Sequence, residues 1–596
     1  DVSQGASAPK NPHYIIRKMA VMGLNMFMFS WEDGYPVDNE PYFGYMRGRY
    51  TKAEMKEIDA FAKELGIEII PCIQTLAHLN ATIRWNQFPI DCNDILLVDN
   101  ERTYEFIDHM FATLSECFES RRIHIGMDEA HMLGRGKHLD QYGYEKVDSI
   151  MRRHLDKVCE IASKYNYEPM IWSDMFFRGW NNNRYYAPKQ PMPKEYIEAL
   201  PKNVIPVYWD YYSSDEQRYD DMFYNHKQLS DKTWFAGGIW SWSGHIPHNE
   251  YSLYTMIPAL NSCHRNKIRD IFLSMWGANG GECSHFAQLP ALVYLAEYAK
   301  GNTDEAKIKA KFKRITGMEY DDFVYIDNPN NLDSQGDHRK NPSKYMLYSD
   351  YFNDYPVKLG NGAKYVEYAE NLHKIAQKSR TYGYLFDTAA KLCDVLAIKY
   401  ELGLKTRLAY EAGDKAELER LANEDYAEVE KLLKVFHRAY EKQWNIENKP
   451  TGFDVQDIRL GGLARRIEHC KEILLSYANG EIAIEGSTPS ETLPTDRDAM
   501  TVTGNTDASL HFTSATVRFD TVNSIVIKIY ANVEGASLVT VRINGKAYKI
   551  SDLTDLGNGT YKLSTEGIKA TNFDTVYSVE LLYNGESVAT LGYSVN

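Results

Sequence analysis

The sequence has no CxxC pair. Its eight cysteines, at 72, 92, 117, 159, 263, 283, 393 and 470, are scattered, which argues against a zinc site of that kind and fits buried free thiols. No apolar run is long enough to cross a bilayer. No glycine-rich phosphate loop follows a strand-like run, and neither a Ser-His-Asp elbow nor metal-ligand spacing is present, so no cofactor and no metal are expected. Positive charge is in the minority. Lys and Arg number 67 against 82 Asp and Glu, a net charge of −15 that gives no pull on a polyanion and excludes nucleic acid as the expected partner. The opening residues carry no signal-peptide pattern and read as mid-domain. The last hundred residues hold no tryptophan, although the whole chain has ten, with 43 tyrosines.

What is present is globular. At 596 residues, 44% hydrophobic and 25% charged, the chain exceeds one ordinary core and implies two to four domains. Over the first 300 residues short apolar runs alternate with amphipathic helices. The runs are 26–31, 67–74, 123–129, 169–175, 204–212, 234–242 and 271–277. The clearest helix is "TKAEMKEIDAFAKELG", with a capping box from Thr51 to Glu54, apolar Ile58, Phe61, Ala62 and Leu65 at helical spacing, and Gly66 at its end. Strands alternating with helices imply a parallel sheet with right-handed crossovers. Seven strands, with a helix over 11–22 before the first of them, predict an α/β fold, a (β/α)₈ TIM barrel over 1–325. Only the end of its first strand, "DVS" at 1–3, is present. A doubly wound open sheet is the alternative.

Beyond the barrel, residues 326–486 read as a helical domain. Leu385, Ala389, Leu392, Leu396 and Tyr400 form one stripe, and a further helix is expected over 416–444. A Ser/Thr/Pro linker follows at 487–499. Residues 500–596 alternate in short strands with Asn-Gly turns at 544–545 and 584–585, a β-sandwich module.

Barrel active sites sit at the C-terminal ends of the strands. There the sequence offers Glu32 and Asp33, His78, Asp128 and Glu129, Trp172 and Asp174, Trp209, Asp210 and Tyr211, Trp240, Trp242 and His245, and Trp276, Asn279 and Glu282. Each alone has an ordinary reading as turn or core, but together they describe a sugar pocket with flat aromatic walls. Adjacent acids such as Asp128 and Glu129 cannot easily straddle a sugar ring as the two carboxyls of an ordinary retaining glycosidase do, about 5 Å apart. They suit a substrate whose own 2-acetamido oxygen attacks the anomeric carbon. One acid orients the acetamido group; the other, its pKa raised by the adjacent charge, protonates the leaving oxygen. Two rivals stand beside this reading: a two-carboxylate glycosidase using Glu129 with Glu282, Asp174 or Asp210, and a non-catalytic sugar-binding barrel.

"HIGMDE" resembles the strand-four motif of glycoside hydrolase family 20, the β-N-acetylhexosaminidases. "EPYFGYMRGRYTKAE", "IPCIQTLAHLN", "MDEAHMLGRG" and "GFDVQDIRLGGL" resemble a bacterial subgroup with a helical region after the barrel, and the likeness covers residues 1 to about 480. The resemblance implies an exo-acting retaining enzyme in which Asp128 polarises the acetamido group and Glu129 is the acid/base. It further implies that Trp172, Trp209 and Trp276 box the sugar, with Trp240 and His78 close by. Tyr211 stands in for a family tyrosine that has no aligned match. Two departures bear on the outer hydroxyls: the family's strand-one arginine is Gln4 here, and its acid beyond the last tryptophan is Ala278. A remodelled pocket is therefore expected, for GalNAc or for a sulfated or extended terminal residue released as in lacto-N-biosidases, unless Glu32, Asp33 or Arg47 restores the grip. The expected partners are a glycan substrate and, by the resemblance, a second copy in a homodimer. Linker and sandwich look like the tail of an exported bacterial carbohydrate enzyme, so an extracellular or cell-surface place is expected.

Overall fold

The computed structural model describes residues 12–83, 85–332, 341–353, 361–482, 510–518, 524–531, 539–543, 545–557, 560–564, 577–583 and 586–593. The chain divides into two compact units, the first ending at Ile482.

In the first unit seven parallel strands run β1 Met26–Ser30, β2 Glu68–Cys72, β3 Arg122–His124, β4 Glu168–Trp172, β5 Ile205–Trp209, β6 Trp234–Gly238 and β7 Ile271–Ser274. Each pairs only with its sequence neighbours, in the order β1 to β7. A doubly wound sheet would reverse direction, so the open-sheet alternative falls and a nearly closed TIM barrel remains. Among the described residues no pairing joins β7 back to β1. A cavity of about 460 Å³ lies at that seam, lined by Met26, Met28, Phe272 and Trp172 among others. The expected strand at 1–3 falls outside the described residues, as do Gln4 and the linker.

Six of the strands end two to five residues before the apolar runs do, and β1 ends one residue before. The departure matters most at β3, expected to reach Glu129 but ending at His124. Gly126, Met127 and Glu129 all adopt left-handed backbone, with φ of 71°, 70° and 50°, which no strand tolerates. The helix Lys52–Glu64 carries the expected capping box in full. The stripe from Leu385 to Tyr400 is buried on the helix Gly383–Glu411. The helix expected over 416–444 is two, Lys415–Asn423 and Asp425–Glu447, broken at Glu424.

Barrel and helical region share one core. Met22, Ile246, Cys283, Leu289 and Phe312 pack in the same apolar cluster as Phe386, Leu396, Phe436 and Trp444. The second unit holds two four-stranded antiparallel sheets.

Candidate active site

The acids lie on the loop after β3, and that loop is tightly held. A Cβ on Gly126 would stand 1.9 Å from Gln74 Oε1 and 2.9 Å from the Ile73 carbonyl, so only glycine lets the chain turn there. Met127 and Glu129 hold left-handed backbone as ordinary residues, at about 1–2 kcal/mol each. Their neighbours fix it. Gln74, just past β2, accepts from Met127 N at 3.3 Å and donates to Asp128 Oδ1 at 3.1 Å. Asp174, which opens the helix after β4, accepts from Glu129 N through Oδ2 at 3.1 Å and from Trp209 Nε1 through Oδ1 at 3.4 Å.

His78, itself at φ 59°, reaches both acids. Its Nε2 lies 3.3 Å from Asp128 Oδ2 and 3.7 Å from Glu129 Oε2. The negative charge of Asp128 is the main reason its pKa is pushed up to about 10, against burial, which works to lower it. Burial alone would raise Asp128; the His78 charge, with hydrogen bonds from His78 and Gln74, outweighs it and holds the carboxyl below the usual range. Sequence reasoning counted two charges here, and the structure has three. The exposures differ too: the Asp128 side chain is 17% exposed and that of Glu129 40%. The ligand atoms of His78, Asp128 and Glu129 all lie within 4.8 Å of one another, close enough to hold a cation.

The aromatic residues divide by exposure. Trp172 and Trp240 are 2% and 4% exposed. Trp172 packs on His124 and meets Trp276 edge-on at 5.9 Å; Trp240 gives its Nε1 to the Tyr211 carbonyl and its ring to Trp242. Trp209, Trp242 and Trp276 keep part of their rings open. Tyr211, 5% exposed, stacks on Trp209 at 5.5 Å and lies where Gly238 leaves no room for a Cβ. Asp33 is fully buried and paired with Arg47 Nε at 2.9 Å. His245 packs among Tyr348, Phe436 and Tyr440 of the helical region. Asn279 lies in the short helix Ala278–Gly281 and is placed by its backbone alone.

Each rival nucleophile is occupied. Asp210 accepts from Tyr208 OH, Tyr212 N and Ser213 N, a staple of its own loop. Glu282 is gripped by Arg459 at 2.9 Å and Lys344 at 2.5 Å. Asp174 turns both oxygens to Glu129 N and Trp209. Burial, and after it the charge of Asp128, pushes its pKa up. Gln74 went unnoticed in the sequence. Its place four residues before His78, at the end of a strand, was the available signal.

Two family models match the chain: "Glycosyl hydrolase family 20, catalytic domain" over residues 28–221 and "Glycoside Hydrolase 20C C-terminal domain" over 321–502. The chain belongs to glycoside hydrolase family 20. The catalytic match includes Gln74, His78, Asp128, Glu129, Trp172, Asp174 and Trp209; β6 and β7 lie outside both matches. Hexosaminidase D of Homo sapiens is 24% identical over 203 residues, 32% of this chain and 39% of that protein. Hexosaminidase D of Bos taurus is 23% identical, over 32% of this chain and 55% of that protein. The chain thus spans about half or less of these curated relatives. A β-N-acetylhexosaminidase of Bacteroides fragilis superposes with a TM-score of 0.40 at 15% identity, over 53% of this chain and 68% of that one. The exo-β-N-acetylglucosaminidase of Vibrio harveyi, with N-acetylglucosamine bound, gives 0.38 at 15% identity, over 50% and 54%.

Within this family 20 chain Asp174 has a testable load. Asp174→Ala leaves the Glu129 amide and the Trp209 indole N–H without their acceptor, and an unmet buried donor costs about 1–3 kcal/mol. Denaturant unfolding should report a loss of that order.

Proposed function

We propose that this glycoside hydrolase is a retaining exo-β-N-acetylhexosaminidase that uses the substrate's acetamido group as its nucleophile. The observation that carries the reading is the loop on which Asp128 and Glu129 stand side by side with His78 against both. Asp128, kept ionised beside a cation, accepts the acetamido N–H and stabilises the positive charge that grows as the acetamido oxygen bonds to the anomeric carbon. Glu129, the more exposed of the two, gives its proton to the departing glycosidic oxygen as the C–O bond breaks. The product of this step is a cyclic oxazolinium and a free alcohol. Water then attacks the anomeric carbon from the vacated face, Glu129 takes a proton from it, and the ring reopens. Two inversions give retention. Trp209, Trp242 and Trp276 offer the ring faces. The substrate is a glycan ending in β-linked GlcNAc or GalNAc, and Gln4 and Ala278 favour an altered or extended terminal residue over strict GlcNAc.

A thiazoline that mimics the cyclised acetamido intermediate tests the mechanism. Competitive inhibition well below the substrate KM is expected. An inert thiazoline together with covalent trapping by a 2-fluoro sugar would overturn the reading in favour of a carboxylate nucleophile.

A further inference from the structure

A buried line of hydrogen bonds lies beneath the strand ends that carry Trp172, Asp174 and Trp209. Ser173 N donates to the Val207 carbonyl at 3.1 Å, the last rung between β4 and β5. The next rung of a parallel ladder would run from Trp209 N to the Ser173 carbonyl. That carbonyl has instead turned to accept from Phe176 N and Phe177 N, where the helix Asp174–Trp180 begins. Trp209 N donates to the Tyr185 hydroxyl at 3.0 Å.

From there the line runs inward. The Tyr185 hydroxyl lies 3.0 Å from Ser173 Oγ, Ser173 Oγ lies 2.7 Å from His226 Nε2, and His226 Nδ1 lies 2.7 Å from the Met222 carbonyl. A carbonyl can only accept, so Nδ1 carries the imidazole proton. Burial pushes the His226 pKa down to about 3, so the ring is neutral and Nε2 accepts. Every direction then follows: Trp209 N–H to Tyr185, Tyr185 O–H to Ser173, Ser173 O–H to His226. Ser173 and His226 are fully buried and Tyr185 is 3% exposed. A buried polar line with each member satisfied is stiff.

Ser173 stands just before its helix, where a serine hydroxyl ordinarily caps a free N–H of the first turn. Here it makes no such bond and is given to the line instead. The consequence falls on the next residue. Asp174 reaches the Glu129 amide at 3.1 Å and the Trp209 indole at 3.4 Å, and it can do both only while the ends of β4 and β5 keep their offset. Past Ser173 the ladder no longer sets that offset. The line through the two hydroxyls does.

We propose that Ser173, joined to Tyr185 and His226, is a positioning residue that holds the ends of β4 and β5 in register so that Asp174 serves Glu129 and Trp209 at once. This deepens the reading above and rests on it for the role of Glu129.

The test separates positioning from stability. In the full chain, kcat is compared for aryl N-acetyl-β-glucosaminides with a poor and a good leaving group. Ser173→Ala should lower kcat about tenfold or more on the poor one, which needs the Glu129 proton, and less than about threefold on the good one. A variant that only loses folded protein would lose both in proportion. His226→Leu should repeat the pattern, and His226→Gln, which keeps an acceptor where Nε2 stands, should recover part of the loss. If either Ser173→Ala or His226→Leu fails to fold, Tyr185→Phe removes a single oxygen from the line and gives the same comparison. A second readout needs no turnover. In protein labelled with ¹⁵N-tryptophan, the Trp209 indole signal, assigned with Trp209→Phe, should shift and its proton exchange faster in Ser173→Ala. Equal losses on both leaving groups, or an unmoved Trp209 signal, overturns the proposal. If that signal moves but the unmutated chain cleaves no aryl N-acetylhexosaminide, the proposal stands and the reaction reading falls.

Discussion

Glu129→Gln should lower kcat on glycosides with poor leaving groups by about 100- to 10,000-fold, the range general acid catalysis supplies. Glutamine keeps the shape of the side chain and loses the proton. Binding should survive, because the Glu129 side chain is neither buried nor the anchor of its loop; its backbone amide is, through Asp174. KM and the thiazoline inhibition constant should therefore change little. Activated aryl glycosides, whose leaving groups depart without a proton, should lose much less, and their slower step should become hydrolysis of the intermediate. A uniform small loss across leaving groups would mean that another group supplies the proton.

Asp128→Asn should cost about 100- to 1,000-fold in kcat, the scale at which one preorganised electrostatic contact to a developing charge is felt. Unlike Glu129→Gln it should also weaken the thiazoline, since the lost charge faces the cyclised acetamido group. A second signal needs no substrate. The charge of Asp128 is the largest cause of the high pKa of His78. Without it the imidazole should titrate well below 10 and toward the ordinary value of about 6.5, visible in the ring resonances. The same change alters stability against pH. A histidine whose folded pKa is raised stabilises the fold fully below about pH 6.5 and loses that contribution as pH rises through about 10. In the asparagine variant this alkaline loss should shrink. A His78 titration that does not move would show that the imidazole answers to Glu129 instead.

The sequence made the barrel legible because each strand is a short β-branched or aromatic run and each helix repeats at 3.6 residues. It did not show where the strands leave the sheet. Apolar character continues past Trp172, Trp209 and Gly238 into the loops, since those loops wall a pocket with aromatic rings. At β3 the obstacle was conformational: Met127 and Glu129 take left-handed backbone that nothing in their chemistry announces. Glu424, an ordinary helix former, breaks what reads as one helix. The paired acids were visible as a motif. Gln74 and the holding role of Asp174 were not, because what they do depends on strands meeting side by side. Arg459 was further still from view. It stands inside "GFDVQDIRLGGL", but only the fold brings it to Glu282, beyond the end of β7.

The apolar cluster common to barrel and helices has a consequence for how such a gene can change. A recombination joint placed between Thr316 and Met346 would divide a single interior, and each half would inherit a greasy face cut for the other: Phe312 and Leu289 on one side, Phe386 and Phe436 on the other. The two regions are thus inherited as a single cassette. Substitutions on one side of that cluster must then be answered on the other, so the two regions change together and without any exchange of parts.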